Sequence, residues 1–299
     1  MNCTSEKICR YDDVFKAKAR AHQFTFREEV LQDFYTEKNP QVILSPESAK
    51  RGLIFCEVYR DLINQKVKTF GISALFSNML RSEHIPYNLF VPMEDDLIHA
   101  KDLFNKIIGG GIARINRIEI EYPGKKVAPF LYLKDRTSFD TFIEYECENG
   151  NLGGIGIEVK YTENGYPLGV KERNDIIDGE GMYRQMTRKS GYYDENMDVM
   201  MFLGAHHLRQ IWRNHLLGYA MVDHGDIQRF HHIHLYPQGN VHFHTYAVPE
   251  YEKLLTVKGR NSFIALTFEN LFGLLSKYFT SFKQQEWIRY LYRRYIVAK

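Results

Sequence analysis

The chain of 299 residues is almost neutral, with 39 Lys+Arg against 37 Asp+Glu; its 44% hydrophobic and 14% aromatic content suits one large domain or two small ones and excludes a chain that stays solvated. No window approaches the ~18 to 20 uninterrupted apolar residues of a membrane span, and the N-terminus MNCTSEKICRYDDVF carries early charges with no apolar run of a secretory signal, so a cytoplasmic protein with no membrane partner is expected. Cys3, Cys9, Cys56 and Cys147 form no CxxC pair and no dense framework, which argues against a disulfide scaffold or a thiolate zinc site.

Residues 1–69 read as a helical extension, with Val30, Leu31 and Phe34, then Ile54, Phe55, Val58 and Leu62, at three-to-four spacing. Asn39-Pro40 and Ser45-Pro46 punctuate it, the second as a helix start with Ser45 as N-cap and Pro46 in the first helical position. A helix is predicted over 72–82, ending before Pro86, then the aromatic stretch YNLFVPM and a helix over 95–108 broken by Gly109-Gly110-Gly111. The period then changes. Residues 112–122 alternate apolar and polar as a half-buried strand does; 127–133 and 139–147 read as further strands, ENGNLGG as a turn, and 154–163 as a fourth strand.

Beyond the strands, 198–222 reads as a long helix with Met201, Leu208, Ile211, Leu216 and Tyr219 as apolar positions. FHHIHLY and VHFHTYAV, joined by PQGN, read as a hairpin, and 267–297 as a helix capped by Thr267 with a basic end. Helices, sheet, helix and hairpin in that order predict an α/β or α+β domain, helices on a central mixed sheet.

The sharpest local feature is Glu158-Val159-Lys160. On a strand, side chains two apart share a face, so Glu158 and Lys160 emerge together. A turn centred near Asn151 would place Asp140 opposite residues 161–162 and bring Asp140, Glu158 and Lys160 to one end of the sheet. Two carboxylates there suit Mg²⁺, a cation that prefers hard oxygen ligands. A lysine beside them can hold or activate the attacking water and balance charge on a pentacovalent phosphate. A lone Glu-x-Lys pair is a common surface feature; Asp140 on the adjacent strand is what lifts this one above it.

SFDTFIEY followed by GIGIEVKYTE resembles the PD-(D/E)XK nuclease superfamily, and QIWRNHLLG with LYPQGN resembles a restriction-endonuclease branch of it, from about residue 71 to the C-terminal RRYIV. The resemblance implies a restriction-endonuclease-like αβββαβ core over 70–299 behind the helical extension 1–69. It also implies a DNA endonuclease in which Asp140 and Glu158 hold Mg²⁺, with Mn²⁺ as substitute, and Lys160 is the catalytic lysine. The proline that names the motif is absent, since Ser138-Phe139 precede Asp140.

The superfamily often adds a carboxylate from the helix before the sheet. Glu83 is the best-placed candidate, at a helix end that is electrostatically poor for an acid. Glu144 shares the face of Asp140 but lies about 13 Å up the strand. Related nucleases carry a Gln on the helix after the catalytic lysine, so Gln210, with Arg213 or Asn214, is expected to contact the nucleic-acid backbone; Gln210 and Asn214 share a helix face at i,i+4. Cutting both strands would favour a homodimer. The alternative on the same fold is a non-catalytic DNA-binding or assembly module that uses the basic C-terminal helix.

A competing cluster is formed by His231, His232, His234, His242 and His244, since imidazole is a common transition-metal ligand. An even loop at PQGN puts His232 and His234 on one face and His242 and His244 on the other; an odd loop would gather all four. PQGN favours the even loop. His206, His207 and His215 lack HExxH spacing, and the triple glycine lacks the GK[ST] of a phosphate loop. Charge is segregated: residues 70–165 carry 10 basic and 14 acidic side chains, residues 166–299 carry 17 and 13. An acidic metal-binding centre beside a polyanion-binding surface would have this distribution.

Overall fold

A computed structural model of the protein describes residues 12–34, 42–67, 76–122, 130–134, 137–165, 174, 181–194 and 203–297. Helices α1 (Val14–Glu29), α2 (Pro46–Lys50), α3 (Arg60–Val67), α4 (Ile85–Phe90) and α5 (Leu97–Ile108) precede β1 (Ile112–Tyr122). The short α6 (Phe130–Leu133) leads into β2 (Phe139–Cys147) and β3 (Leu152–Val159), and α7 (Met182–Ser190) and α8 (Arg209–Asp223) lead into β4 (Arg229–Tyr236). A π-helix (His242–Ala247), α9 (Val248–Lys253) and α10 (Val257–Ser262) then reach β5 (Phe263–Thr267), followed by α11 (Phe268–Tyr278) and α12 (Phe282–Tyr295).

Local chemistry sets the helix starts. Ser45 accepts a hydrogen bond from the Ser48 N–H with Pro46 in the first turn, and Thr267 accepts from Asn270. Gly109, at φ +83°, closes α5 in the left-handed conformation that favours glycine. The predicted C-terminal helix is two helices. Phe279 leaves the helical conformation, and Ser281 with Gln284 forms a capping box that starts α12.

The five strands form one mixed sheet in the order β1-β2-β3-β4-β5, antiparallel across β1, β2 and β3 and parallel across β3, β4 and β5. One face carries Ile143, Ile155, Ile157, Val159, Ile233 and Leu235, which share a core with Phe104, Phe272 and Trp287. Phe15 and Phe26 of α1 belong to that same core, and buried Gln23 donates to the Tyr161 hydroxyl and the Arg294 carbonyl. The N-terminal helices are therefore built into the sheet's packing. The opposite face carries Phe142 and Phe230 and is covered by α8 through Trp212, Leu216 and Leu217. Glycine sets the spacing on this face: a Cβ at Gly156 would fall 2.4 Å from the Phe139 ring, and one at Gly218 of α8 would fall 1.9 Å from Phe230.

The expected αβββαβ core and mixed sheet are present, and β1 and β2 keep their predicted bounds. Further expectations change, beginning with the strand predicted over 154–163, which spans Leu152–Val159 instead. Residues 76–84 form turns rather than a helix, and α4 begins at Ile85 with Pro86 in its first turn; 72–75 lie outside the described residues. Residues 130–133 are helical rather than extended, with 127–129 outside the description. The long helix begins at Arg209; Met201 and the rest of 198–202 lie outside. VHFHTYAV is not a strand: its buried residues Phe243, Ala247 and Val248 continue to Tyr251 of α9 at helical spacing, and the Asn240 side chain accepts from the Phe243 N–H. Without that second strand there is no histidine hairpin, and β4 instead pairs in parallel on both sides. Asn39-Pro40, Cys3, Cys9 and Lys299 lie outside the described residues, where Cys56 and Cys147 are free and buried. No helix among the described residues is long and apolar enough to cross a membrane.

Candidate active site

The β2–β3 hairpin turns two residues earlier than expected. The Cys147 N–H donates to the Asn151 carbonyl at 2.7 Å, Glu146 pairs with Leu152, and Thr141 pairs with Ile157. One step further along that register sets Asp140 opposite Glu158, not opposite 161–162. The correction tightens the site, because Asp140 and Glu158 become cross-strand neighbours with side chains on the same face. Asp140 Oδ2 accepts the Val159 N–H at 2.7 Å, fixing the carboxylate at the end of the ladder. The Lys160 N–H donates to the Leu235 carbonyl at 2.8 Å, so this residue is held to β4 just beyond the end of β3.

Glu158 is 2% exposed. Its Oε1 accepts from the Lys160 ammonium and its Oε2 from the Asn214 amide of α8. Burial raises the Asp140 pKa well above the usual carboxylate range, and the Glu158 charge raises it further, against the opposing pull of Lys160 and the Val159 N–H. For Lys160, burial works against the ammonium, but Glu158, Asp140 and Glu163 outweigh it and keep the lysine charged. Glu163 belongs to this electrostatic centre, although the sequence reading passed over it. It accepts the Ser82 and Tyr161 N–H groups, both at 2.9 Å.

The other predicted residues divide. Glu83 is engaged by Arg81 in a part-exposed ion pair, and no contact joins it to Asp140 or Glu158. The helix-end argument for Glu83 fails, because residues 81–84 are turn. Glu144 is held by Arg117 at 3.1 Å. Arg213 and Asn214 are 4% and 0% exposed, so neither is a surface contact for a nucleic-acid backbone. The Arg213 Nε donates to the Tyr183 hydroxyl at 3.0 Å, and Asn214 turns inward to Glu158. Gln210, one turn earlier on the Asn214 face, has a buried Oε1 without a partner.

His234 is a neighbour that sequence reasoning did not place. The parallel register sets it beside Glu158; it is 0% exposed, and neither ring nitrogen has a partner. Burial, then the charges of His232 and Lys160, push its pKa well below the ordinary histidine value. Burial also pushes His232 down to about 3 and His231 down to about 4. His215, by contrast, is fully bonded, to the Tyr251 hydroxyl at 2.9 Å and the Ser262 hydroxyl at 2.7 Å. Among the described residues no group of three His, Cys, Asp or Glu side chains is arranged to hold a metal ion, so the histidines form no such centre.

The donors that fit a divalent cation are therefore the carboxylate pair Asp140 and Glu158. A buried and a half-buried acid side by side disfavour joint ionisation, which a hard cation between them relieves. The Asn214 Oδ1, buried without a partner, lies beside the same carboxylate. A family model described as the PD-(D/E)XK nuclease superfamily matches residues 10–297, a span that takes in the N-terminal helices as well as the sheet. No curated protein and no solved structure matches the chain.

Proposed function

The chain belongs to the PD-(D/E)XK nuclease superfamily, and from that premise we propose that it is a divalent-metal-dependent endonuclease that hydrolyses phosphodiester bonds in DNA. The observation that supports this reading is the side-by-side placement of Asp140 and Glu158 with the Lys160 ammonium bonded to Glu158. Asp140 and Glu158 would hold Mg²⁺, or Mn²⁺ in its place. Bound there, the cation would supply Lewis-acid polarisation of a phosphoryl oxygen and a more acidic water. Lys160 stays charged and anchored, so it can orient the nucleophilic water and offset charge building on the phosphorus centre. Asn214 holds the Glu158 carboxylate in place. Gln210 remains the α8 residue proposed to reach toward the strand, and Glu83 a proposed outer carboxylate. Cutting both strands of a duplex would take two such centres, hence a homodimer.

The non-catalytic DNA-binding alternative has weaker support. Its basic C-terminal helix spends Lys283 on Asp95 and Arg289 on Glu286, and buries Arg294 completely. A plasmid-nicking assay with Mg²⁺ or Mn²⁺ separates the two readings. Asp140→Asn and Lys160→Ala should each lose at least about a hundredfold in rate, the order seen when one group aimed at developing charge is removed. Full activity in both variants would overturn the assignment, and binding without cleavage by the unaltered protein would favour the alternative.

A further inference from the structure

Lys160 lies one residue past the end of β3, where the ladder to β2 has stopped. Its position is fixed by its N–H bond to Leu235 on β4 and by whatever holds the next residue, Tyr161. Tyr161 is gripped at each of its polar groups. Its N–H donates to Glu163 Oε2 at 2.9 Å, its carbonyl accepts from Asn240 Nδ2 at 3.0 Å, and its hydroxyl accepts from Gln23 Nε2 at 3.0 Å. The residue is 0% exposed, with its ring edge-on to Phe15 at 6.1 Å and to Tyr295 at 5.9 Å, and stacked on Phe268 at 6.3 Å. The two neighbours point opposite ways: the Lys160 ammonium reaches Glu158 on the α8 face, while Tyr161 belongs to the core on the other face of the sheet. The tyrosine therefore clamps the lysine's backbone from behind.

Two of those grips, Phe15 and Gln23, come from α1, which lies outside the αβββαβ core. The helix buries Phe15, Ala19, Gln23 and Phe26, the three-to-four spacing of a face packed on a core. Gln23 stands in the middle of that row, 0% exposed. Its Nε2 also donates to the Arg294 carbonyl of α12 at 2.6 Å, and its Oε1 is buried without a partner. A buried acceptor left unpaired costs stability, and a leucine or methionine would fill the same place without that cost. The use of a glutamine there lies in the bonds its amide makes. The same helix is tied to the chain after Lys160 a second time. Its N-cap, Asp13, accepts from the Asn164 amide at 2.5 Å while holding the Lys16 N–H at 2.8 Å. One helix thus meets the chain one residue and four residues beyond the lysine.

We propose that Gln23 is a positioning residue for Lys160, and that α1, through the Gln23–Tyr161 bond, is a working part of the active site. The proposal rests on the nuclease reading and gives the N-terminal extension a role in it. Gln23 touches neither cation nor substrate; it fixes where the ammonium stands relative to Glu158 and the attacked phosphate. Such placement tolerates little error, since a displacement of ~1 Å by a remote substitution can cost ~100-fold in rate. The carboxylate pair has its own anchors, the Val159 N–H for Asp140 and the Asn214 amide for Glu158. Loss of the Gln23 bond should therefore move the lysine and leave the cation's donors in place. The family match over residues 10–297 takes in all of α1, in keeping with a helix that serves the reaction.

Single-turnover plasmid nicking at saturating Mn²⁺, paired with Mn²⁺ affinity from titration calorimetry, provides the test on the full chain, well below the melting temperature of each variant. Two substitutions remove the bond: Gln23→Leu, and Tyr161→Phe, which deletes only the hydroxyl and decides the matter if the first does not fold. Each should slow nicking about 10- to 100-fold and leave Mn²⁺ affinity unchanged. In Lys160→Ala, which has no ammonium to position, adding Tyr161→Phe should slow nicking no further, because the two changes act through one group. Full rates in both single variants overturn the proposal. A rate loss matched by a loss of Mn²⁺ affinity also overturns it, since the bond would then support the carboxylates. So does a loss that multiplies with that of Lys160→Ala, which would make Gln23 a support of the fold at large. If the unaltered protein does not cut, or Lys160→Ala cuts at full rate, the nuclease reading itself has failed and takes the positioning role with it.

Discussion

Glu158 is the most constrained side chain of the site: one carboxylate oxygen takes the Lys160 ammonium, the other the Asn214 amide, and Asp140 stands across the strand pair. Asn214 has no part in bond-making, yet it orients the carboxylate that would hold the cation. Groups in that position cost about 10- to 100-fold in metal affinity when removed. Asn214→Ala should therefore weaken Mn²⁺ binding by that factor in titration calorimetry, with cleavage recovering at saturating Mn²⁺. Equal Mn²⁺ affinity in the two proteins would show that Asn214 is only a packing residue. Asn214→Asp tests the same bond from the other side. Placing a third acid beside Glu158 and Asp140 should lower stability without metal and return it on adding Mn²⁺, seen as a melting temperature more dependent on Mn²⁺ than that of the unaltered chain.

At the scale of elements, the site depends on α8 lying close to β4, and Gly218 permits the approach. A Cβ there would sit 1.9 Å from the Phe230 ring, which has the sheet behind it. Gly218→Ala should destabilise the fold by about 1 to 3 kcal/mol, the usual cost of overpacking, despite alanine's better helix propensity. Urea unfolding measures it, and a gain in stability would show that the ring can move aside. Elements with strong local signals were legible before the structure. The alternation of 112–122 marks a strand with the observed bounds, 139–147 is a strand over its predicted range, and the Ser45-Pro46 and Thr267 caps are present. The hairpin centre lies earlier than the composition suggests because Gly153 and Gly154, which read as turn residues, are strand positions covered by Tyr145 and Phe142. VHFHTYAV misled for a related reason: its alternating histidines and aromatics look extended, while the weaker helical spacing of Phe243, Ala247 and Tyr251 decides its packing. The Ser281–Gln284 capping box is the local signal in the sequence for the start of α12. Asp140, Glu158 and Lys160 were legible as a group because they share one hairpin; the Asn214 contact was not, since it depends on how α8 docks 56 residues along the chain.

Over the whole molecule, the buried histidines tie stability to pH. His231 and His232 titrate in the folded protein at about 4 and about 3, and burial also pushes His84, His215 and His234 well below the ordinary value. Unfolded, each would take up a proton near pH ~6.5. A histidine whose folded pKa is depressed contributes its stability above the unfolded value and loses it as pH falls toward the folded one. All five therefore pull in one direction between pH ~6.5 and the low folded values. For His232 alone the loss between pH 7 and 5.5 is about 1 kcal/mol, against a total of only ~5 to 15 kcal/mol for a typical domain. Asp140, Glu121 and Glu252 act in the opposite sense, since their raised pKa values favour the folded protein as pH falls, but they are three groups against these five and His242. The protein should accordingly begin to lose stability just below pH 6.5, before most surface carboxylates are protonated. Urea unfolding at pH 7 and pH 5.5 should show a marked drop in the unaltered chain, and a drop smaller by about 1 kcal/mol in His232→Asn, whose side chain cannot take up the proton. Comparing the two pH values within each protein removes the packing cost of the substitution, which is common to both. An identical drop in the two proteins would mean that His232 takes up its proton as readily in the fold as in the unfolded chain, with the neighbouring Gly156 backbone holding the charge.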